Sequence, residues 1–129
     1  MTTTETSTET PIQTSAVETT IEDYFTMWNE PDRAKRLEVI ARAWAPGARY
    51  VDPLSVVAGH DGIADMVEGV RVQFPGATLQ RTTDVDTHHN VVKFGWSATG
   101  PDGDVLVGGT DVGVLTDDGR LSAVAGFFS

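Results

Sequence analysis

Val105-Leu106-Val107-Gly108-Gly109-Thr110-Asp111-Val112-Gly113-Val114-Leu115 reads as a strand with a carboxylate in its middle. Ionised Asp is poor strand material and costly to bury without partners. The preceding stretch, Val91–Thr99, says which way Asp111 points. There the even positions Val92, Phe94, Trp96 and Ala98 are apolar, and the odd ones include Lys93, Gly95, Ser97 and Thr99. That alternation predicts a strand whose even face is buried. Gly100-Pro101-Asp102-Gly103 supplies turn chemistry between the two strands. With a two- or four-residue loop the antiparallel partners sum to an odd number. Phe94 and Trp96 then share a face with Val107, Gly109 and Asp111. A bulge, or a loop of odd length, would reverse this. On the simpler loop Asp111 faces an aromatic interior, and Gly109 and Gly113 beside it leave room for something that is not side chain. The residues leave two readings open: a functional acid, or a buried Asp satisfied by backbone or a Tyr hydroxyl.

A chain of 129 residues is one small domain with a real core, and 40% hydrophobic content fits a globular protein. The formal charge of −10 offers no basic surface to a phosphate backbone, so no nucleic-acid partner is expected. It does not oppose a neutral apolar ligand. Without Cys there is neither disulfide nor thiolate nucleophile, which suits a reducing cytoplasm. No apolar run approaches the roughly 20 residues that span a bilayer, and no signal-peptide pattern opens the chain.

Residues 1–14, rich in Thr, Ser and Glu, read as a disordered tail before a single domain, 15–129. Ser15 and Glu18 have capping-box spacing. Val17, Ile21, Tyr24, Phe25 and Trp28 then form one helical stripe. A second helix begins near Pro31 and carries Leu37, Ile40, Ala41 and Trp44. Arg33, Lys35, Arg36 and Arg42 read as its solvated face, and Pro46-Gly47 as its stop. Ala48–Asp52 reads as a short strand with Tyr50 and Asp52 on one face, stopped by Pro53. Asp52 before Pro is also ordinary turn chemistry. Leu54–Gly59 reads as a loop, His60 as a residue at a helix start, and Asp61 as the cap of a third helix bearing Ile63, Met66, Val67 and Val70. Ala77–Asp86 reads as a mixed strand and 87–90 as a hairpin tip. Side chains at adjacent strand positions point to opposite faces, so His88 and His89 are not expected to share a metal. Asp117-Asp118-Gly119 turns the chain into the last strand, which brings Ala125 or Gly126 opposite Asp111. The class is α+β: a cone-shaped, curved antiparallel sheet wrapped over three N-terminal helices.

From Val17 to the C-terminus this order resembles the nuclear transport factor 2-like (cystatin-like) fold, and more narrowly the ketosteroid isomerases and the SnoaL-like polyketide cyclases. Tyr24, in Tyr-Phe-Thr-Met-Trp-Asn-Glu-Pro-Asp, falls where the isomerase has its first-helix oxyanion-hole Tyr. Asp52, in Tyr-Val-Asp-Pro, falls on the general base, and Asp111, in Gly-Thr-Asp-Val, on the second oxyanion donor. In the cyclases the position of Asp111 is the catalytic acid/base. The resemblance implies a cofactor-independent acid/base enzyme with no metal, acting on a small apolar ketone, and a homodimer. Trp28, Trp44, Tyr50, His60, Phe94, Trp96, Val107 and Phe127 would line the hydrophobic pocket. The same fold also serves as a non-catalytic ligand-binding or dimerisation module.

Overall fold

The structure is a computed structural model that describes residues 14–129. The expected tail therefore lies outside the described residues, apart from Thr14, which is already helical. The stripe Val17, Ile21, Tyr24 and Trp28 is buried along α1 (Thr14–Asn29), joined by Thr20 and Met27. Ser15 is not a cap: it lies inside the helix, where its carbonyl accepts the Thr19 hydroxyl at 2.9 Å. Asp32, not Pro31, opens α2 (Arg33–Ala43), its carboxylate accepting the Ala34 N–H. The chain then passes straight into β1 (Trp44–Asp52), so Trp44 belongs to a strand and Pro46-Gly47 sits within it, at a register shift. The stretch expected as a loop is β2 (Ser55–Ala58), paired with β1 through a turn at Pro53-Leu54. Next, α3 (Gly59–Gln73) starts at Ala58 without a side-chain cap, and Asp61 sits in its first turn.

The expected strand 77–86 is two short ones, β3 (Thr78–Arg81) and β4 (Asp86–His88), both paired with β5 (Val91–Thr99). The break falls where Thr82 N–H donates to the Gly95 carbonyl and Gly95 N–H to the Thr83 hydroxyl. Two long strands, β6 (Val105–Leu115) and β7 (Leu121–Phe128), complete a curved, open sheet of order β2-β1-β7-β6-β5-β3. Its one departure from the expected antiparallel pattern is the β1–β7 pair, which is parallel.

The face of Asp111 comes out as expected, by a different route. Thr99 pairs with Val105, which leaves an odd loop at 100–104, and a register shift follows between Ala98 and Thr99. The two offsets cancel. Phe94 thus stands opposite Asp111, and Trp96 opposite Gly109.

Arg36, expected in solvent, is fully buried. Its Nε and Nη2 donate to the Glu30 carbonyl at 3.0 and 2.8 Å, its Nη2 also to Pro31 at 3.2 Å, and its Nη1 to Glu68 Oε1 at 2.8 Å. The guanidinium closes the α1–α2 connection and ties it to α3. Its carbon stem packs in the interior while its donors make four hydrogen bonds to oxygen. Replacing Arg36 by Met should cost about 3 kcal/mol, because backbone carbonyls and a carboxylate lose their charged donor. Glu68→Gln should cost under about 1 kcal/mol, since that carboxylate is half exposed. Urea unfolding of both variants tests the asymmetry; equal losses would mean that the ion pair, not the carbonyl clamp, carries the stabilisation.

Candidate active site

Three neighbouring strands set Asp52, Gly126 and Asp111 side by side on the inner face of the sheet. Asp111 pairs with Gly126 across β6–β7, and Val51 pairs with Ala125 across β1–β7, one residue before Asp52 meets Gly126. A Cβ at position 126 would stand 2.8 Å from Asp111 Oδ1, 3.3 Å from Asp52 Cβ and 3.4 Å from Tyr50 Oη. The missing side chain is what lets these groups converge. Of the two small residues that the sequence offered opposite Asp111, the register selects Gly126. The space at Gly109 and Gly113 is occupied by protein instead: Trp96 and the Phe127 carbonyl fill the first, Leu121 and Val92 the second.

Each carboxyl is held by a phenol. Tyr24 Oη on α1 donates to Asp111 Oδ2 at 2.6 Å, and Tyr50 Oη on β1 donates to Asp52 Oδ2 at 2.6 Å. Asp52 Oδ1 accepts the Leu54 N–H at 2.8 Å, so its turn chemistry and its place in the cluster coexist. Asp111 is 4% exposed and its Oδ1 has no hydrogen-bond partner. Asp52 is half-buried.

Burial dominates the electrostatics of the inner carboxyl. Loss of hydration pushes Asp111 up from the ordinary 3.8 to about 6, although the Tyr24 hydroxyl and the nearby Trp96 N–H hold it back. The charge of Asp52 adds a smaller push in the same direction. Burial also drives both phenols well above the ordinary 10.0, with Asp111 raising Tyr24 further and the hydrogen bond to Asp52 raising Tyr50. Both tyrosines are therefore donors throughout the physiological range.

The other expected site residues divide. Trp44, Phe94 and Trp28 surround Tyr24, with ring centroids 5.9, 5.5 and 6.4 Å from it, and Tyr50 packs on Trp28 at 5.9 Å. Trp96 lies beyond Gly109 on the same face, and half-buried Val107 follows, opposite Ala98. His60 stands apart: its Nε2 faces the Trp44 and Ala45 carbonyls at 3.0 and 3.2 Å, tying the start of α3 to β1. Phe127 points to the outer face and is 58% exposed. Its neighbour Phe128 has the parity of Gly126 and packs on Trp96 at 6.0 Å; a register fixed on Gly126 would have found it. An open cleft of about 380 Å³ lies elsewhere, between α1 and β3, lined by Ile21, Phe25, Leu79 and Val85 together with polar Glu18, Glu22, Thr26, Gln80 and Arg81, and by none of the three expected catalytic residues. His88 and His89 are exposed as expected, but the hairpin tip is shorter than 87–90: Thr87 and His88 end β4, and only His89 and Asn90 form the turn. Their Nδ1 atoms nonetheless come within 3.1 Å, because His89 leaves the strand at a φ of 51°.

The raised pKa of Asp111 makes a stability statement. Between the ordinary value of 3.8 and about 6 the folded chain holds a proton that the unfolded chain has released, so this group's contribution falls as pH rises through that window. Above it, the ionised carboxyl costs about 3 kcal/mol relative to a neutral isostere. Asp111→Asn keeps an acceptor for Tyr24 and removes the titration. The variant should be the more stable protein at neutral pH, and the gap should close towards acid. Chemical unfolding across that range checks it; a variant less stable than wild type at neutral pH would mean that the carboxylate is well served as an anion.

Residues 21–124 match the model of the SnoaL-like domain. Among solved structures the chain superposes on a proposed isomerase of the SnoaL-like family from Agrobacterium tumefaciens with a TM-score of 0.84. The two are 40% identical over 89% of this chain and 98% of that one. A proposed SnoaL-like polyketide cyclase from Jannaschia gives 0.74 at 20% identity, over 96% and 92% of the two chains. A cystatin-like protein of unknown function from Methylobium petroleophilum gives 0.75 at 16%, over 93% and 80%. These last two share the fold. No curated protein matches in sequence. With four-fifths of its length under one family model and a close structural relative bearing the same family name, the chain belongs to the SnoaL-like family.

Proposed function

We propose that this protein is a cofactor-independent acid/base enzyme that moves a proton beside the carbonyl of a small apolar ketone, most simply to shift a double bond by the route of the ketosteroid isomerases. One observation carries the reading: two Tyr–Asp pairs flank Gly126, and their carboxyls sit in unlike surroundings. Carboxyls whose environments separate their protonation states divide into an acid and a base. The relationship to the Agrobacterium protein, itself named as an isomerase, supports the same class.

Asp52, half-buried and held by Tyr50 and the Leu54 N–H, takes the proton from the carbon next to the carbonyl. The C–H electron pair becomes the new double bond, and the carbonyl oxygen gathers the negative charge. Asp111, protonated on Oδ1 because Oδ2 accepts Tyr24, donates to that oxygen. Asp52 then returns its proton to the far carbon of the system. Nothing is consumed, and no cofactor takes part. The aromatic wall of Trp28, Trp44, Tyr50 and Phe94 suits an apolar ligand.

The value near 6 for Asp111 also gives a second reading its footing, since a carboxyl ionised at neutral pH can serve as the base of a polyketide cyclase or aldolase. The two differ in sign. If Asp111 works as the neutral donor, kcat/KM should fall as pH rises through about 6, and Asp111→Asn should erase that limb while keeping part of the rate, because an amide still donates. Asp52→Asn should abolish exchange of the α-proton. Deuterium exchange into a panel of cyclic enones and ketones, followed by NMR, measures all three. A rate that rises through about 6 and vanishes in Asp111→Asn assigns Asp111 as the base and gives the cyclase reading.

A further inference from the structure

In the resemblance drawn from the sequence, the oxygen of the ligand is held by Tyr24 and Asp111. The hydrogen bonds of this chain distribute the donors differently. The Tyr24 proton is engaged by Asp111 Oδ2 at 2.6 Å. An sp² oxygen that gathers charge has two lone-pair directions, and Asp111 Oδ1 answers one of them. Among the described residues, two indole N–H groups in the interior have no hydrogen-bond partner, those of Trp28 and Trp96. The third, Trp44, donates to Met27 Sδ at 3.2 Å.

The two free indoles face different atoms. Trp28 follows Tyr24 by one helical turn, and its N–H faces the phenol oxygen. Trp96, opposite Gly109 and one pairing step from Asp111 along the inner face, turns its N–H towards the carboxyl without completing a hydrogen bond to it. Its ring enters the space that Gly109 vacates, where a Cβ would come within 2.8 Å of Cζ2. On its other side it packs edge-on against Phe128, which is 41% exposed, so Trp96 stands between the buried carboxyl and a partly exposed aromatic at the end of β7. A buried N–H left unpaired is costly, and a ligand oxygen beside Asp111 Oδ1 would satisfy both groups at once.

We propose that the indole N–H of Trp96 and Asp111 Oδ1 form the oxygen-binding end of the site, with Tyr24 a positioning residue that orients Asp111 rather than a direct donor. This rests on the acid/base reading above. It also defines the ligand class at that end: an indole can only donate, so the group bound there is an acceptor such as a carbonyl, enolate or phenol oxygen, not an ammonium group.

The probe is 4-methylphenol, whose oxygen mimics an enol, added at about pH 5, where Asp111 is mostly neutral. The readouts are its affinity and the three Trp indole resonances in ¹⁵N-edited NMR, assigned with Trp96→Phe. That variant keeps an aromatic ring beside Phe128 and loses the N–H together with the five-membered ring that carries it, so the shift of the Trp96 resonance in the unaltered protein is the readout that lost packing cannot imitate. Binding should move the Trp96 resonance downfield and leave that of Trp44 in place, and Trp96→Phe should weaken binding about 10-fold. On any ketone that exchanges, Trp96→Phe should lower kcat about 100-fold with little change in KM. Phenol binding with an unmoved Trp96 resonance and unchanged affinity in Trp96→Phe overturns the proposal, and so does an absence of phenol binding. Exchange that requires Asp52 but keeps its full rate in Trp96→Phe overturns it too while leaving the acid/base reading intact. No exchange on any ketone, with the phenol still seated on Trp96, removes the reading and leaves the binding site.

Discussion

The hydrogen bond from Tyr24 to Asp111 Oδ2 is the constraint on which the interior depends, because it joins the first helix to the middle of the sheet through the most expensive group in the core. A carboxyl 4% exposed has lost nearly all its hydration, and burial alone would drive it far towards the neutral form. Tyr24 and Trp96 oppose that drift, and the outcome near 6 is a compromise between them and desolvation. The group is therefore poised rather than locked. Gly126 makes the arrangement possible at a place where no side chain of any size could stand.

Much of this was legible from period-two alternation. The even face of Val91–Thr99 placed Phe94 and Trp96 inward, and arithmetic on the turn placed Asp111 with them. That arithmetic succeeded although its premise about the loop did not hold. A five-residue connection and a register shift each reverse the parity, and together they restore it. Burial of the aromatic face sets the register, and the turn adapts to it. The helix stripe through Tyr24 was legible for the same reason, since periodicity records which face must leave water.

What stayed hidden depends on partners far apart in sequence. Arg36 looks like one more cation on a basic helix face, and only the approach of the 30–31 connection and α3 turns it into a buried clamp. Phe127 and Phe128 are indistinguishable until β7 is registered against β6, after which one faces solvent and the other packs on Trp96. The glycines misled in a related way. Gly109 and Gly113 flank Asp111 along its own strand, but the Trp96 ring, the Phe127 carbonyl and the Leu121 and Val92 side chains fill those gaps, and the glycine that admits the carboxyl lies on the next strand. Trp44 ended in a strand because helix α2 stops without any breaker, its cap being the strand itself.

The unlike surroundings of the two carboxyls follow from where each stands in the sheet. Asp52 ends its strand at a turn, where backbone N–H groups leave the ladder, and one of them, from Leu54, serves its carboxylate directly. Asp111 has no such resource. It sits mid-strand in β6 with β5 on one side and β7 on the other, so the N–H groups around it are committed to ladder pairing. Only side chains can serve it, and the interior offers one phenol and one unpaired indole nearby. A carboxylate served by backbone at a strand end and a carboxyl served only by side chains at a strand centre thus meet unlike surroundings, and burial raises the inner one to about 6. Under the proposed acid/base chemistry, sheet topology is what sets the two carboxyls apart: Asp52 draws on a backbone donor at its strand end, and the state of Asp111 depends on the side chains around it.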